Sequence, residues 1–265
     1  MQATCRDLLD EYRELADLCA TLSPADWRRR TDFYDWTPWD EIAHLCYFDQ
    51  TALQSINDPE AFIEGAKALN RLMASGEHIS AVARDTFGHL DGPALLEQWR
   101  AAFEPLVAAL ARQDPKARLN WYGPTMSARS FATARLMETW AHGQDVWDVM
   151  RRPRPGSHRL QAIAHIGVST FGWTFVNRQL PVPATAPHVE LTAPDGRVLT
   201  WGEPSTTDWV RGSLQDFCLL VTQRRHRADT RLKWAGEAAE QWTRWAQCFA
   251  GPPADGPAPG QRPAL

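Results

Sequence analysis

One helix-forming stretch, residues 127–150, limits what this chain can fold into. On a helical wheel Leu136, Trp140, Gly143 and Trp147 share one side, and Glu138, His142 and Asp145 stand nearly opposite. Phe131 and Val149 extend that polar stripe at both ends. Large apolar residues are not expected on a face that meets only water, so both sides of the helix must be covered by other elements. A helix enclosed in this way belongs inside a bundle, with its polar groups turned inward.

The polar stripe reads Arg135-Leu-Met-Glu138-Thr-Trp-Ala-His142-Gly-Gln-Asp145. Glu138 and His142 lie one turn apart on the same face. A carboxylate and an imidazole at that spacing can reach one metal ion, and a third ligand from elsewhere would leave a position open for chemistry. The same spacing suits a solvated Glu–His pair worth about 0.2–0.5 kcal/mol. Spacing alone leaves both readings open.

Helix-start signals recur along the first two thirds of the chain. Residues 3–21 carry Leu8, Leu9, Tyr12, Leu15 and Leu18 at helical spacing. Ser23-Pro24 and Thr37-Pro38 each combine a cap residue with proline at the first helical position, and the second opens a helix through about Ile56 that contains His44. Pro59 starts a helical region through about Phe87, weakened near Gly76, and Gly92-Pro93 starts another through about Arg112. After the loop 120–126 comes helix 127–150, and His158 to about Leu180 reads as one more. Four or five long helices with short connections predict an antiparallel, up-and-down four-helix bundle.

The grammar changes at Pro181-Val-Pro183. Val189 to Trp201 alternates apolar and polar residues around Asp195-Gly196, which predicts a β-hairpin. Helices are expected near 208–223 and 238–249, with a strand at Thr230–Trp234. The chain therefore reads as α-rich with two domains: a helical bundle over 1–182 and a small α+β domain over 183–250. The Pro/Gly-rich residues 251–265 are expected to be a disordered tail.

Composition removes several function classes. A net charge of −4 disfavours a nucleic-acid binder. The runs Arg28–Arg30 and Arg151–Arg154 fall where helices are expected to end, where cations are favourable. No apolar stretch is long enough for a membrane span, and Met1-Gln-Ala-Thr lacks the build of a secretory signal. Five scattered cysteines, an odd number without a Cys-x-x-Cys, favour free thiols and a cytoplasmic location. Cys46, two residues from His44, reads as a packed thiol rather than a ligand. Of the thirteen tryptophans, Trp27, Trp36, Trp39, Trp99, Trp140, Trp147 and Trp173 are expected in the core, although Trp can also line a ligand cavity. The remaining histidines, His78, His89, His158, His165, His188 and His226, have no partner pattern.

Trp36-Thr-Pro-Trp-Asp-Glu-Ile-Ala-His44-Leu45, taken with Arg135 to Asp145 and the loop Gly123-Pro-Thr-Met-Ser127, resembles the mycothiol-dependent maleylpyruvate isomerase family. Asp216 to Arg225 and Ala246 to Pro253 are similar to one branch of it. The resemblance implies a DinB-type metal-binding bundle followed by a sterol-carrier-like α+β domain. It implies that His44, Glu138 and His142 hold a divalent metal, usually Zn2+, with another such as Ni2+ as an alternative. It also implies mycothiol as a cosubstrate that is activated as a metal-bound thiolate for addition to an electrophilic small molecule, giving an isomerase or a thiol transferase. Arg135 and Asp145 are expected to orient the ligands. Arg224 or Arg225 is expected to hold a substrate carboxylate. Partners would be a small-molecule substrate and a low-molecular-weight thiol, with no nucleic acid or membrane, in a monomer or homodimer. Two alternatives stand beside this: a thiol-independent metal enzyme of secondary metabolism, and a non-catalytic protein that binds a small molecule in a Trp-lined pocket.

Overall fold

The computed structural model describes residues 1–262; residues 263–265, the end of the expected disordered tail, lie outside the described residues. Backbone contacts divide the chain into two compact units, the first covering Met1–Arg152 and the second beginning at Pro153.

The first unit contains α1 (Gln2–Cys19), α2 (Pro38–Asn57), α3 (Pro59–Ala74), α4 (Ile79–Phe87), α5 (Gly92–Ala111) and α6 (Ala128–Val149). A two-residue antiparallel pair, β1 (Arg118–Leu119) and β2 (Met126–Ser127), closes the loop before α6. The sequence signals explain most of these boundaries. Thr37 Oγ1 accepts from the Asp40 N–H at 3.3 Å and Asp40 Oδ2 accepts from the Thr37 N–H at 2.9 Å, a capping box completed by Pro38. Gly76, at φ +94°, separates α3 from α4. The signal at Ser23-Pro24 fails to start a long helix and yields only a 3-10 turn over Asp26–Arg28. Arg29 and Arg30 follow it, and without apolar residues to bury, a new helix has no packing to sustain it.

The long helices α1, α2, α5 and α6 form the expected bundle. Both α1 and α2 pack against α5 and α6, so the order around the bundle is α1, α5, α2, α6. The first two long helices in sequence therefore face each other across the bundle instead of standing side by side. The segment 20–37 is long enough to make that crossing. Leu8, Leu15, Ile42, Leu45, Phe103 and Phe131 are fully buried between the helices, each worth about 1.5–3 kcal/mol of burial. As the wheel required, α6 is enclosed on both sides: Leu136 and Trp140 are buried, and so are Arg135, His142 and Asp145. Of the tryptophans expected in the core, Trp27, Trp99 and Trp140 are buried, whereas Trp173 is 40% exposed.

The second unit contains α7 (Leu160–Ser169), α8 (Phe171–Val176), β3 (His188–Thr192), β4 (Val198–Trp201), β5 (Trp209–Ser213), α9 (Leu214–Val221), β6 (Lys233–Ala235) and α10 (Glu237–Trp245). The sheet order is β4-β3-β5-β6, with β3 and β5 parallel and the other pairs antiparallel. The β3–β4 hairpin turns at Asp195-Gly196, where Gly196 has φ +83°. The helix expected over 208–223 is a strand followed by a helix: Trp209, Val210 and Arg211 pair with β6, and the chain turns helical only after the Ser213 cap.

The single helix expected over 158–180 is broken at Thr170 and belongs to this unit rather than to the bundle. Leu160, Ile163 and Ala164 are buried on α7, which packs on α9. A Cβ at Gly167 would lie 2.9–3.0 Å from Val221 and Phe217, so only glycine permits that approach. Phe171, Phe217 and Trp242 close the cluster edge to face. The units thus divide at 152/153, ahead of the compositional change at 181–183, because that change marks where helices give way to strands and not where packing ends. Residues 251–262 have no regular secondary structure but are tethered: Arg178 Nη1 donates to Asp255 Oδ1 at 2.9 Å, and the Gly260 N–H donates to Asp229 Oδ2 at 2.9 Å. Among the described residues no helix is long and apolar enough to cross a membrane.

Candidate metal centre

Two helices of the bundle, α2 and α6, carry the site. Glu41 and His44 share one face of α2 at i, i+3, and Glu138 and His142 share one face of α6 at i, i+4. The packing of α2 on α6 brings the two faces together. His44 Nε2 lies 3.8 Å, and His142 Nε2 3.4 Å, from Glu138 Oε2. One donor atom from each of His44, Glu138 and His142 lies within 4.8 Å of the others. Zinc bonds of about 2.0–2.1 Å in tetrahedral geometry place neighbouring ligand atoms about 3.3–3.5 Å apart, so the three side chains fit one divalent ion with little movement.

The cluster is recessed but reachable. His142 is buried, while the side chains of His44 and Glu138 are 12% and 27% exposed. Burial alone would push the Glu138 carboxyl upward, but its interactions with His142 and His44 outweigh that and hold it well below the usual carboxylate range. It is an anion, as a metal ligand requires.

Aromatic rings cover the imidazoles. Trp36 stacks on His142 at 5.8 Å and 18°, Phe33 meets the same ring edge to face at 5.6 Å, and Phe48 lies 4.7 Å from His44. Tyr122 and Trp121, from the loop before α6, continue the wall against Phe48. Trp36 therefore serves the site rather than the core. Phe33 and Trp36 are held by a short loop in which Tyr34 and Asp35 adopt φ of +49° and +57°. Left-handed conformations cost a residue with a Cβ roughly 1 kcal/mol or more. The Thr31 N–H to Trp36 O bond at 2.7 Å and the Trp36 N–H to Phe33 O bond at 2.9 Å hold the loop in that shape.

The expected orienting residues are arranged differently from the expectation. Arg135 donates through Nε to Asp49 Oδ1 at 2.9 Å, deep in the bundle. Burial would lower its pKa, but Asp49, Tyr12 and Glu138 together raise it, so Arg135 is a permanent cation acting on Glu138 through space. The group touching His142 is Glu41, whose Oε2 lies 2.7 Å from Nδ1. Asp145 is fully buried and forms a second close group with Glu41 and His142. The i, i+3 relation of Glu41 to His44 is the signal in the sequence for its place beside the cluster.

Asp49 was also missed. It accepts from Tyr12 Oη at 2.5 Å, from Trp99 Nε1 at 2.8 Å and from Arg135, so each of the four bundle helices contributes one member of this network. Cys46 is buried with its thiol pushed upward by burial, as a packed residue. All five cysteines are buried. Arg224 and Arg225 belong to the second unit, just past α9, and both are buried. Arg224 Nη1 donates to Thr222 O at 3.0 Å and Arg225 Nη1 to Arg224 O at 2.8 Å.

Comparison with known proteins gives a consistent picture. Two uncharacterized proteins of Mycobacterium tuberculosis, from strains CDC 1551 and H37Rv, are each 38% identical over 260 residues, covering 94% of this chain and 96% of theirs. The crystal structure of the mycothiol-dependent maleylpyruvate isomerase shares the fold, with a TM-score of 0.54 at 14% identity over 84% of this chain and 89% of that one. The structure of a histidine-to-alanine mutant of that isomerase aligns with a TM-score of 0.53 at 13% identity over the same shares. The domain family described as "Mycothiol maleylpyruvate isomerase N-terminal domain" matches residues 8–147, a span that covers α2 and α5, most of α1 and α6, and every residue of the cluster. The chain belongs to the mycothiol maleylpyruvate isomerase family.

Proposed function

We propose that this protein is a divalent-metal-dependent enzyme, with Zn2+ as the first candidate, that activates a low-molecular-weight thiol of the mycothiol type and adds it to an electrophilic small molecule. The observation that carries the reading is the convergence of His44 from one helix with Glu138 and His142 from another, with their donor atoms within 4.8 Å. Three protein ligands leave a coordination position for a reactant, the arrangement of catalytic rather than structural sites. When bound, the cation supplies a positive charge that keeps a coordinated thiol deprotonated and nucleophilic at neutral pH.

The chain's own residues do the rest. Phe33, Trp36 and Phe48 cover the imidazoles and limit water around them, which strengthens every electrostatic interaction in the cleft. The partly exposed edge, formed by His44 and Glu138, is the side from which a thiol and its acceptor can approach. Addition of a thiol to a conjugated double bond turns it into a single bond that can rotate. Elimination then restores the alkene in the other geometry, and addition without elimination gives a thioether product.

Metal analysis of the purified full-length protein tests the first half. The expected result is about one divalent ion per chain in wild type and loss of it in a His44→Ala/His142→Ala variant. No stoichiometric metal in wild type, or full retention by the variant, overturns the reading. Turnover of conjugated-alkene acids with and without mycothiol, glutathione or bacillithiol tests the second half. Metal-dependent turnover that no thiol stimulates removes the thiol step.

A further inference from the structure

We propose that Glu41 is a positioning residue of the metal centre: by accepting from His142 Nδ1 it fixes the tautomer and ring plane that aim Nε2 at the cation. The inference rests on the metal reading above. It starts from geometry at the two ring nitrogens, which face different carboxylates. Nδ1 lies 2.7 Å from Glu41 Oε2 and Nε2 lies 3.4 Å from Glu138 Oε2. A neutral imidazole holds one proton, and an acceptor at 2.7 Å on Nδ1 favours the tautomer with the proton there. The lone pair then falls on Nε2, on the side of His44 and Glu138.

Glu41 is itself constrained. It is completely buried on α2, one turn before His44, so the helix that supplies one ligand also aligns another. Its second oxygen lies 3.5 Å from Thr31 Oγ1. Thr31 is fixed by its N–H bond to Trp36 O, and the Trp36 ring lies nearly parallel to His142. The imidazole is therefore held by its edge through Glu41 and by its face through Trp36, both tied to the loop 31–36. A buried carboxylate in such a place is costly unless it serves a charged or hydrogen-bonded partner. Partners of this kind on metal-bound histidines are typically worth about 10–100-fold in metal affinity.

The test uses full-length Glu41→Gln and Glu41→Ala beside wild type and His44→Ala. It reads Zn2+ affinity by chelator competition, the visible spectrum of the Co2+ form, and thermal unfolding of the metal-free proteins. Glu41→Ala is expected to lose about 10–100-fold in Zn2+ affinity with a changed Co2+ spectrum. Glu41→Gln, which keeps an acceptor oxygen without the charge, is expected to lose less and to retain the wild-type unfolding temperature. If Glu41→Ala does not fold, Glu41→Gln carries the test, through weakened Zn2+ binding and an altered Co2+ spectrum in a protein of unchanged metal-free stability. Affinity and spectrum equal to wild type in both variants overturn the proposal and leave the metal reading intact. Abolished binding in Glu41→Ala with binding preserved in His44→Ala also overturns it, since Glu41 would then be a ligand. Wild type that takes up neither Zn2+ nor Co2+ removes both.

Discussion

Two buried polar clusters on the same pair of helices, α2 and α6, are built to opposite ends. Around Asp49 the charges are balanced and closed off. Asp49 and Arg135 pair at 2.9 Å, and Tyr12 and Trp99 use the remaining acceptor capacity. One turn away, Glu41, His44, Glu138 and His142 bring two carboxyl groups and two imidazoles together, and part of the group meets solvent. The first cluster pairs a carboxylate with a guanidinium; the second gathers donor atoms spaced to suit a divalent ion. The comparison teaches that burial of charge does not by itself mark a functional site. What distinguishes the second cluster is that donor atoms of His44, Glu138 and His142 converge within 4.8 Å at an edge that meets solvent.

Breaking the closed cluster should have the largest effect. Asp49→Ala leaves the Arg135 guanidinium buried without its partner and is expected to destabilise the protein by about 3–5 kcal/mol, read as a shift of the urea midpoint with or without metal. If the loss is under 1 kcal/mol, the cluster is not the closed device described. At the open cluster the contrast reverses. His142→Ala should erase the stabilisation by Zn2+ that wild type shows, about 2.7 kcal/mol at a hundredfold excess over Kd. Differential scanning fluorimetry with and without Zn2+ reads the difference.

Smaller changes sharpen the same contrast. Thr37→Ala removes the cap of α2 and is expected to cost about 1 kcal/mol in global unfolding. The effect of pH on the same cap has a defined sign. Burial raises the Asp40 carboxyl, but bonds from Arg84 and Thr37 outweigh it and hold the pKa below the ordinary value. A depressed pKa means that the stabilisation is present above about pH 4, the unfolded value, and is lost as pH falls through the folded value. Asp40→Asn should therefore lower stability at neutral pH and flatten the acid limb of the stability curve. The smallest effect concerns the thiols: all five cysteines are buried, and alkylation of the native protein by iodoacetamide is expected to be slow, reaching completion only in denaturant.

Legibility followed the range of the interactions. The pairing of Glu138 with His142 is legible because helical periodicity alone puts them on one face, and Phe131 and Val149 on that stripe mark the face as enclosed. His44 needed the family resemblance, since nothing within α2 points to α6. The bond from His142 to Glu41 spans 101 residues and that from Arg135 to Asp49 spans 86; no local pattern encodes either. The strand over Trp209–Ser213 escaped because its pairing partners β3 and β6 lie elsewhere in the chain. Helix 158–180 was assigned to the bundle because it is helical, while its packing on α9 gives it to the second unit.

The helices, their caps and the enclosed polar face of α6 were legible along the chain, because they depend on neighbours three and four residues apart. Which acid meets His142, which acid pairs with Arg135 and where one unit ends were set by the packing of the folded chain. Those outcomes depend on which buried faces meet, and a buried carboxylate is committed to its partner by contact and charge, not by its place along the chain.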